Sequence, residues 1–175
     1  MQTNVTKINY FQNAAISVRI RPFNEEELNL DKSAPIITDV LDKSKITVNL
    51  DCNNSKNFNF QNVFDAHTTQ TEVFEKSSKF IIDGLFQGTS GTIMTYGQTG
   101  TGKTYTLIGG QENINNLKSN DSFENENIFN YNENPGILIK SVEYILDKIN
   151  SDKKNKYNIL TSYVRIHMEA VKFIF

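Results

Sequence analysis

The chain has 175 residues, of which 38% are hydrophobic and 22% charged, with a formal net charge of −2. That is the composition of a soluble globular protein with no global mark of a nucleic-acid or membrane-surface binder. Cys52 is the single cysteine, so an internal disulfide is excluded and a reducing, intracellular setting is expected. The opening "MQTNVTKINYFQNAA" lacks the apolar run of a signal peptide, and no apolar stretch is long enough to span a bilayer.

In chain order, "AISVRIRP" alternates cleanly, with Ile16, Val18 and Ile20 on one face and Ser17, Arg19 and Arg21 on the other. This predicts a half-buried strand stopped by Pro22. "NEEELNLDK" reads as a polar connector. "APIITDV", "KITVNL" and "NFNFQNVF" are short β-prone runs separated by turn-forming residues, and together they predict a small antiparallel lobe. A helix is expected over "TQTEVFEKSSKFIIDGLFQG". Thr69 and Glu72 have capping-box spacing, Val73, Phe74, Phe80, Ile81 and Leu85 recur at helical intervals, and Gly88 suits the stop.

"GTIMTY", an apolar run between glycines, has the form of a strand buried on both faces. A glycine-rich bend follows, with a helix opening at Lys103. The asparagine-rich stretch 109–134 has no apolar periodicity and is expected to be a long polar loop. After Pro135 and Gly136 a second helix is predicted, with Leu138, Val142, Ile145 and Ile149 on one stripe. Its exit, "SDKKNK", reads as a solvated turn. "YNILTSYVRIHM" predicts a last strand, with Leu160, Val164, Ile166 and Met168 on one face. The order is that of an α/β protein without internal repeats.

Gly97, Gln98, Thr99, Gly100, Thr101, Gly102, Lys103 and Thr104 fit G-x-x-x-x-G-K-[ST] in full. Glycines let the backbone turn its N–H groups inward as a concave nest for phosphate oxygens, and the following helix adds the positive end of its dipole. The lysine can reach the β- and γ-phosphates, and the Thr104 hydroxyl can ligate Mg²⁺. A buried strand before the loop and a helix after it are the context this motif requires. His67 and His167 read as solvated residues, and with one cysteine they make no zinc constellation.

Taken together, these residues resemble the motor domain of kinesins. "VRIRPFNEEE" looks like that family's first strand, and the run from "FNFQNVF" through "GTIMTYGQTGTGKTYTL" follows its pattern almost continuously. The resemblance covers roughly 16–168. It implies an α/β fold with a kinesin-like mixed central sheet flanked by helices and a small antiparallel β lobe, incomplete because only the N-terminal half is present. Residues 1–15 would be an N-terminal extension and 16–175 a partial motor domain, with 109–134 as an inserted loop. The resemblance further implies that ATP or ADP binds with Mg²⁺. Arg19 and Pro22 would border the adenine, Tyr105 would lie against it, and residues 98–104 would cradle the phosphates. Microtubules are the implied partner, with no nucleic acid and no membrane, and the implied location is the cytoplasm and its cytoskeleton.

The chain also departs from the family. "GILIK" stands at the helix start where the family has glycine-isoleucine-isoleucine-proline-arginine, and "SYVRIH" carries Arg165 and His167 in place of a glutamate and a tyrosine. In "EAVKFIF", Phe173 replaces an aspartate. Neither the asparagine-x-x-serine-serine-arginine-serine-histidine pattern of switch I nor the aspartate-leucine-alanine-glycine of switch II occurs. Those segments position the attacking water and sense the γ-phosphate, so no catalytic residue is assigned in this chain. The main microtubule-binding surface of the family is expected beyond these residues. Two alternatives accompany the motor reading: a kinesin-like relic that binds nucleotide without turnover, and a small-molecule kinase, disfavoured because such enzymes place the loop nearer the N-terminus. Without a neighbouring strand, "GTIMTY" is expected to show an open edge and uncovered apolar surface.

Overall fold

The computed structural model describes residues 14–29, 43–51, 53–110, 134–168 and 170–173. The expectations for 1–13, for the "APIITDV" run and for the body of the polar loop, 111–133, lie outside the described residues. The chain divides into two compact units, Met1–Val142 and Glu143–Phe175. Among the described residues the strands form three two-stranded sheets.

In the first unit, strand β1 (Ser17–Arg19) pairs in parallel with β4 (Asn62–Phe64), Val18 opposite Val63. A parallel pair needs a crossover, and here the intervening chain includes an antiparallel hairpin, β2 (Lys45–Asp51) with β3 (Asn54–Asn59). The hairpin is the small lobe expected from the sequence, but the run "NFNFQNVF" does not all belong to it. It divides at Phe60 and Gln61. Asn54–Asn59 is exposed throughout and pairs with β2, whereas Val63 and Phe64 are buried and pair with β1. Strand β3, with Phe58 its one apolar residue, lies on a solvated ribbon, and the adjacent Val63 and Phe64 reach the core.

The connector after Pro22 holds a short helix, α1 (Glu25–Asn29), where only a polar linker was expected. Asn24 accepts the Glu27 N–H at 2.7 Å and the Glu27 carboxylate accepts the Asn24 N–H at 3.0 Å, which is reciprocal capping-box bonding built on asparagine. The Arg21 guanidinium binds the same carboxylate, and this bond above all holds the Glu27 pKa down to about 2.

The predicted helix over 69–88 exists as two pieces, α2 (Gln70–Ser77) and α3 (Lys79–Leu85). The capping box is present, with the Thr69 side chain accepting the Glu72 N–H and the Glu72 side chain accepting the Thr69 N–H. The interruption falls at a serine pair. Ser77 donates back to the Val73 carbonyl at 2.6 Å, while Ser78, fully buried, leaves helical geometry at φ −129°. Serine competes locally for backbone partners, which is why helices weaken there. Gly88 adopts a left-handed φ of 79°, and the Gly88 and Thr89 N–H groups bond back to the Leu85 and Gly84 carbonyls, closing the helix in a Schellman pattern.

The core gathers Phe64, Val73 and Ile137, with Ile93 packed against them. "GTIMTY" supplies Ile93, but it forms no strand, and burial on both faces is corrected. Met94 is 80% exposed and Tyr96 97% exposed. Among the described residues no strand is hydrogen-bonded to 91–96, so alternate side chains have nothing to pack on. Apolar surface is uncovered here, as expected, but on an irregular segment rather than on the open edge of a strand.

The ends of the polar loop meet. Gly109 and Pro135 form an antiparallel bridge, and the Gly136 N–H donates to the Ile108 carbonyl at 2.9 Å. A Cβ on Gly136 would stand 2.5 Å from the Leu107 carbonyl carbon and oxygen, so glycine is required for this approach. Helix α5 (Ile137–Ser151) starts immediately afterwards. Its buried residues are Ile137, Ile139 and Ser141, whereas Leu138 and Val142 are about half exposed. The stripe predicted through Leu138 and Val142 is therefore displaced by one position at the helix start, where Ile137 joins the core.

In the second unit, α5 ends in a turn gathered on Asp152. Its carboxylate accepts the N–H groups of Lys154 and Asn155, the Asn155 side-chain amide and the Tyr157 hydroxyl. The predicted last strand is shorter than expected. Strand β5 (Val164–His167) pairs antiparallel with β6 (Ala170–Phe173), and Leu160, 91% exposed, lies outside it. No helix among the described residues is long and apolar enough to cross a membrane.

Candidate functional site

The glycine-rich bend between 97 and 102 has the backbone that its composition demands. Gly100 and Gly102 are left-handed, at φ 83° and 92°, a region that side-chain-bearing residues rarely enter. A Cβ on Gly97 would lie 2.6 Å from the Thr101 hydroxyl oxygen. The bend is closed on one acceptor: the Gln98 carbonyl takes the Thr101 N–H at 3.3 Å, the Thr101 hydroxyl at 2.8 Å and the Lys103 ammonium at 2.7 Å. Helix α4 (Lys103–Leu107) starts with Gly102 as its N-cap, and the Thr106 N–H returns to the Gly102 carbonyl. In such a start the first-turn N–H groups have no intrahelical acceptor and point out along the axis. Lys103 and Thr104 occupy that turn, with Thr104 exposed.

Beside the bend lies an open cavity of about 490 Å³ whose lining includes Arg19, Pro22, Gly100, Thr101, Gly102 and Tyr105. Residues far apart in sequence thus meet on one wall. The Arg19 guanidinium stands over the Tyr105 ring, 5.1 Å from its centroid, a cation–π geometry. It also donates to the Gln70 side-chain oxygen at 2.7 Å, to the Thr106 hydroxyl at 3.1 Å and to the Thr68 carbonyl at 3.4 Å. Burial lowers the Arg19 pKa from its usual value, with Tyr105 acting in the opposite direction. Such a guanidinium stays a cation.

Lys103 lines a second, smaller cavity of about 250 Å³, shared with Ser17, Ser78 and Thr95. Arg19, Thr101, Gly102 and Thr106 border both spaces. Gly97, Gln98, Thr99 and Thr104 line neither, and they shape or follow the bend instead.

Sequence reasoning missed Gln70, Thr68 and Thr106. Gln70 is only 2% exposed and donates to the Tyr105 carbonyl at 2.7 Å. Its one visible signal is its place directly after the N-cap Thr69, on the first turn of a capped helix. The partners it joins lie 51 residues before it and 35 after it, beyond the reach of any local pattern.

A family model described as "Kinesin motor domain" matches residues 19–173. The chain is 34% identical over 162 residues to the kinesin heavy chain of Syncephalastrum racemosum, covering 91% of this chain and 15% of that protein. It spans only 5% to 24% of the length of the curated relatives it matches. Among solved structures, one titled as a fast kinesin, with implications for ATPase mechanism and interactions with microtubules, superposes with a TM-score of 0.71 at 30% identity, over 90% of this chain and 39% of that one. A second, titled as KIF14 with ADP in complex with a microtubule, shares the fold, with a TM-score of 0.60 at 20% identity, over 93% of this chain and 48% of that one. The family model spans most of the chain, the glycine-rich bend included, and the chain belongs to the kinesin motor domain family.

Proposed function

We propose that this chain is the nucleotide-holding portion of a microtubule motor, and that it binds Mg-ATP and Mg-ADP at residues 97–104. The observation that carries the proposal is the bend itself. Two left-handed glycines, a glycine whose Cβ position is filled by Thr101, and a lysine at the following helix start support a phosphate-holding reading of this bend. In this reading Lys103 exchanges its bond to the Gln98 carbonyl for a charge-assisted bond to phosphate. Arg19, Pro22 and Tyr105 border the base in the larger cavity. Thr104, exposed on the first turn of α4, would be the chain's own ligand for Mg²⁺, which would neutralise charge on the phosphate oxygens.

Residues 16–175 are read as part of the motor domain and 1–15 as an extension. ATP hydrolysis, movement along microtubules and a cytoskeletal location are proposed for the complete motor. The fast kinesin, 30% identical, supports this through the ATPase mechanism and microtubule interactions described for it. Within these 175 residues no group is assigned to position the attacking water, because neither switch pattern occurs in the sequence. That observation keeps the second reading, binding without turnover, for the chain taken by itself.

Equilibrium dialysis against Mg-ADP and Mg-ATP is expected to give saturable binding at one site per chain. Absence of saturable binding by folded protein overturns the proposal. Phosphate release by the 175-residue chain with microtubules is expected to stay at background, and robust stimulated turnover would show that this chain holds catalytic groups after all.

A further inference from the structure

We infer that Gln70 is a positioning residue for the nucleoside side of the pocket, setting how strongly the site holds a base without altering its grip on phosphate. The inference rests on the nucleotide reading above. Gln70 is buried, and it uses both ends of its amide: the oxygen accepts from Arg19 at 2.7 Å, and the nitrogen donates to the Tyr105 carbonyl at 2.7 Å. Arg19 and Tyr105 are also the two residues in cation–π contact on the cavity wall. One side chain thus ties both halves of that contact to the first turn of α2.

The base and phosphate sides share Arg19, Thr101, Gly102 and Thr106 on their walls, but Gln70's own bonds lie on the base side. Gln70 bonds to the β1 arginine and to the backbone of α4 at Tyr105. The bend closes on the Gln98 carbonyl through Thr101 and Lys103, with no part taken by Gln70. Arg19 has further acceptors in Thr106 and Thr68, so loss of Gln70 leaves it bonded but no longer held at one orientation over the ring. A planar base stacking in this cavity therefore meets a looser wall, while a phosphate chain meets the same nest. A buried amide satisfied at both ends is costly to replace by a group that can satisfy only one.

The test compares two ligands that share a diphosphate and differ in the nucleoside, Mg-ADP and Mg-pyrophosphate, on the parent chain, Gln70→Met and Gln70→Glu. Methionine keeps the volume and removes both hydrogen bonds. Glutamate keeps the acceptor facing Arg19 and loses the donor to Tyr105. For Gln70→Met we expect ADP affinity to fall about tenfold, the scale of a lost bond to a charged group, with pyrophosphate affinity unchanged. Gln70→Glu is expected to fall between the parent and Gln70→Met. A proportional loss of both ligands in both variants overturns the inference, because it marks a merely structural residue, and so does unchanged ADP binding in Gln70→Met. If the parent binds pyrophosphate and ADP equally, the base contributes nothing and this inference fails alone; if it binds neither, the nucleotide reading fails first.

Discussion

Two neighbouring regions of the first unit contrast sharply: the corner where β1, α2 and α4 meet, and the stretch 91–96 that leads into the glycine-rich bend. At the corner, polar side chains are drawn in and matched. Gln70 is 2% exposed, and Arg19 finds three acceptors and an aromatic face. Along 91–96 the opposite holds, with apolar Met94 and the Tyr96 ring turned to solvent while only Ile93 reaches the core. A hydrophobic sequence does not guarantee burial, nor does a polar side chain guarantee exposure. Both depend on what the rest of the chain brings alongside.

The largest expected effect comes from the core that both regions share. Phe64, 3% exposed, packs with Val73, Ile137 and Ile93. Phe64→Ala should cost about 3–5 kcal/mol in denaturant unfolding, the usual range for a buried aromatic. A cost below about 1 kcal/mol would mean that the cluster is not a packed core in solution.

The next effect sharpens the corner's side of the comparison. Thr69→Ala removes the cap of α2 and should destabilise by about 1 kcal/mol. Glu72, its capping-box partner, is held below its ordinary pKa, first by the Thr69 backbone N–H and then by the Thr69 side chain. A carboxyl lowered on folding contributes stability that is complete above its unfolded pKa and is lost as pH falls through the folded value. The stability gap between the parent and Glu72→Gln should therefore be present at neutral pH and close on acidification below the ordinary glutamate range. A gap independent of pH would contradict the capping geometry.

The smallest effect belongs to the open stretch. Met94→Thr should change stability by less than about 0.5 kcal/mol, as exposed substitutions do, and it should reduce self-association by placing a polar group on an uncovered edge. Static light scattering and a denaturation midpoint measure the two outcomes. A loss of more than about 1 kcal/mol would show that this side chain is covered in solution, and the contrast between the regions would disappear.

What was legible in the sequence follows the same division. The capping box at Thr69 and Glu72, the stop at Gly88, the glycine-rich bend and the helix opening at Lys103 are local chemistry, and each stands where it was expected. The helix α1 and the break at Ser78 are local features that were passed over, whereas the other misreadings are questions of partnership. "NFNFQNVF" changes partners after Phe60, and only Val63 and Phe64 of its four apolar residues reach the core. "GTIMTY" has strand composition and no ladder. The α5 stripe moves by one position, with Ile137 rather than Leu138 joining the core. The Arg19, Pro22 and Tyr105 wall was legible only through family resemblance. For Gln70 only its place after the N-cap was legible, and its partners were not, since its two bonds span 51 and 35 residues.

The central claim is that the bend at 97–104 holds nucleotide phosphates through Lys103. Titration of Mg-ADP into the parent chain and into Lys103→Ala, each checked by its thermal transition, tests it most directly. Equal folding is expected, with an affinity at least about tenfold weaker in the variant, because the lysine would supply a charge-assisted bond to phosphate. Equal affinity in two equally folded proteins would contradict it.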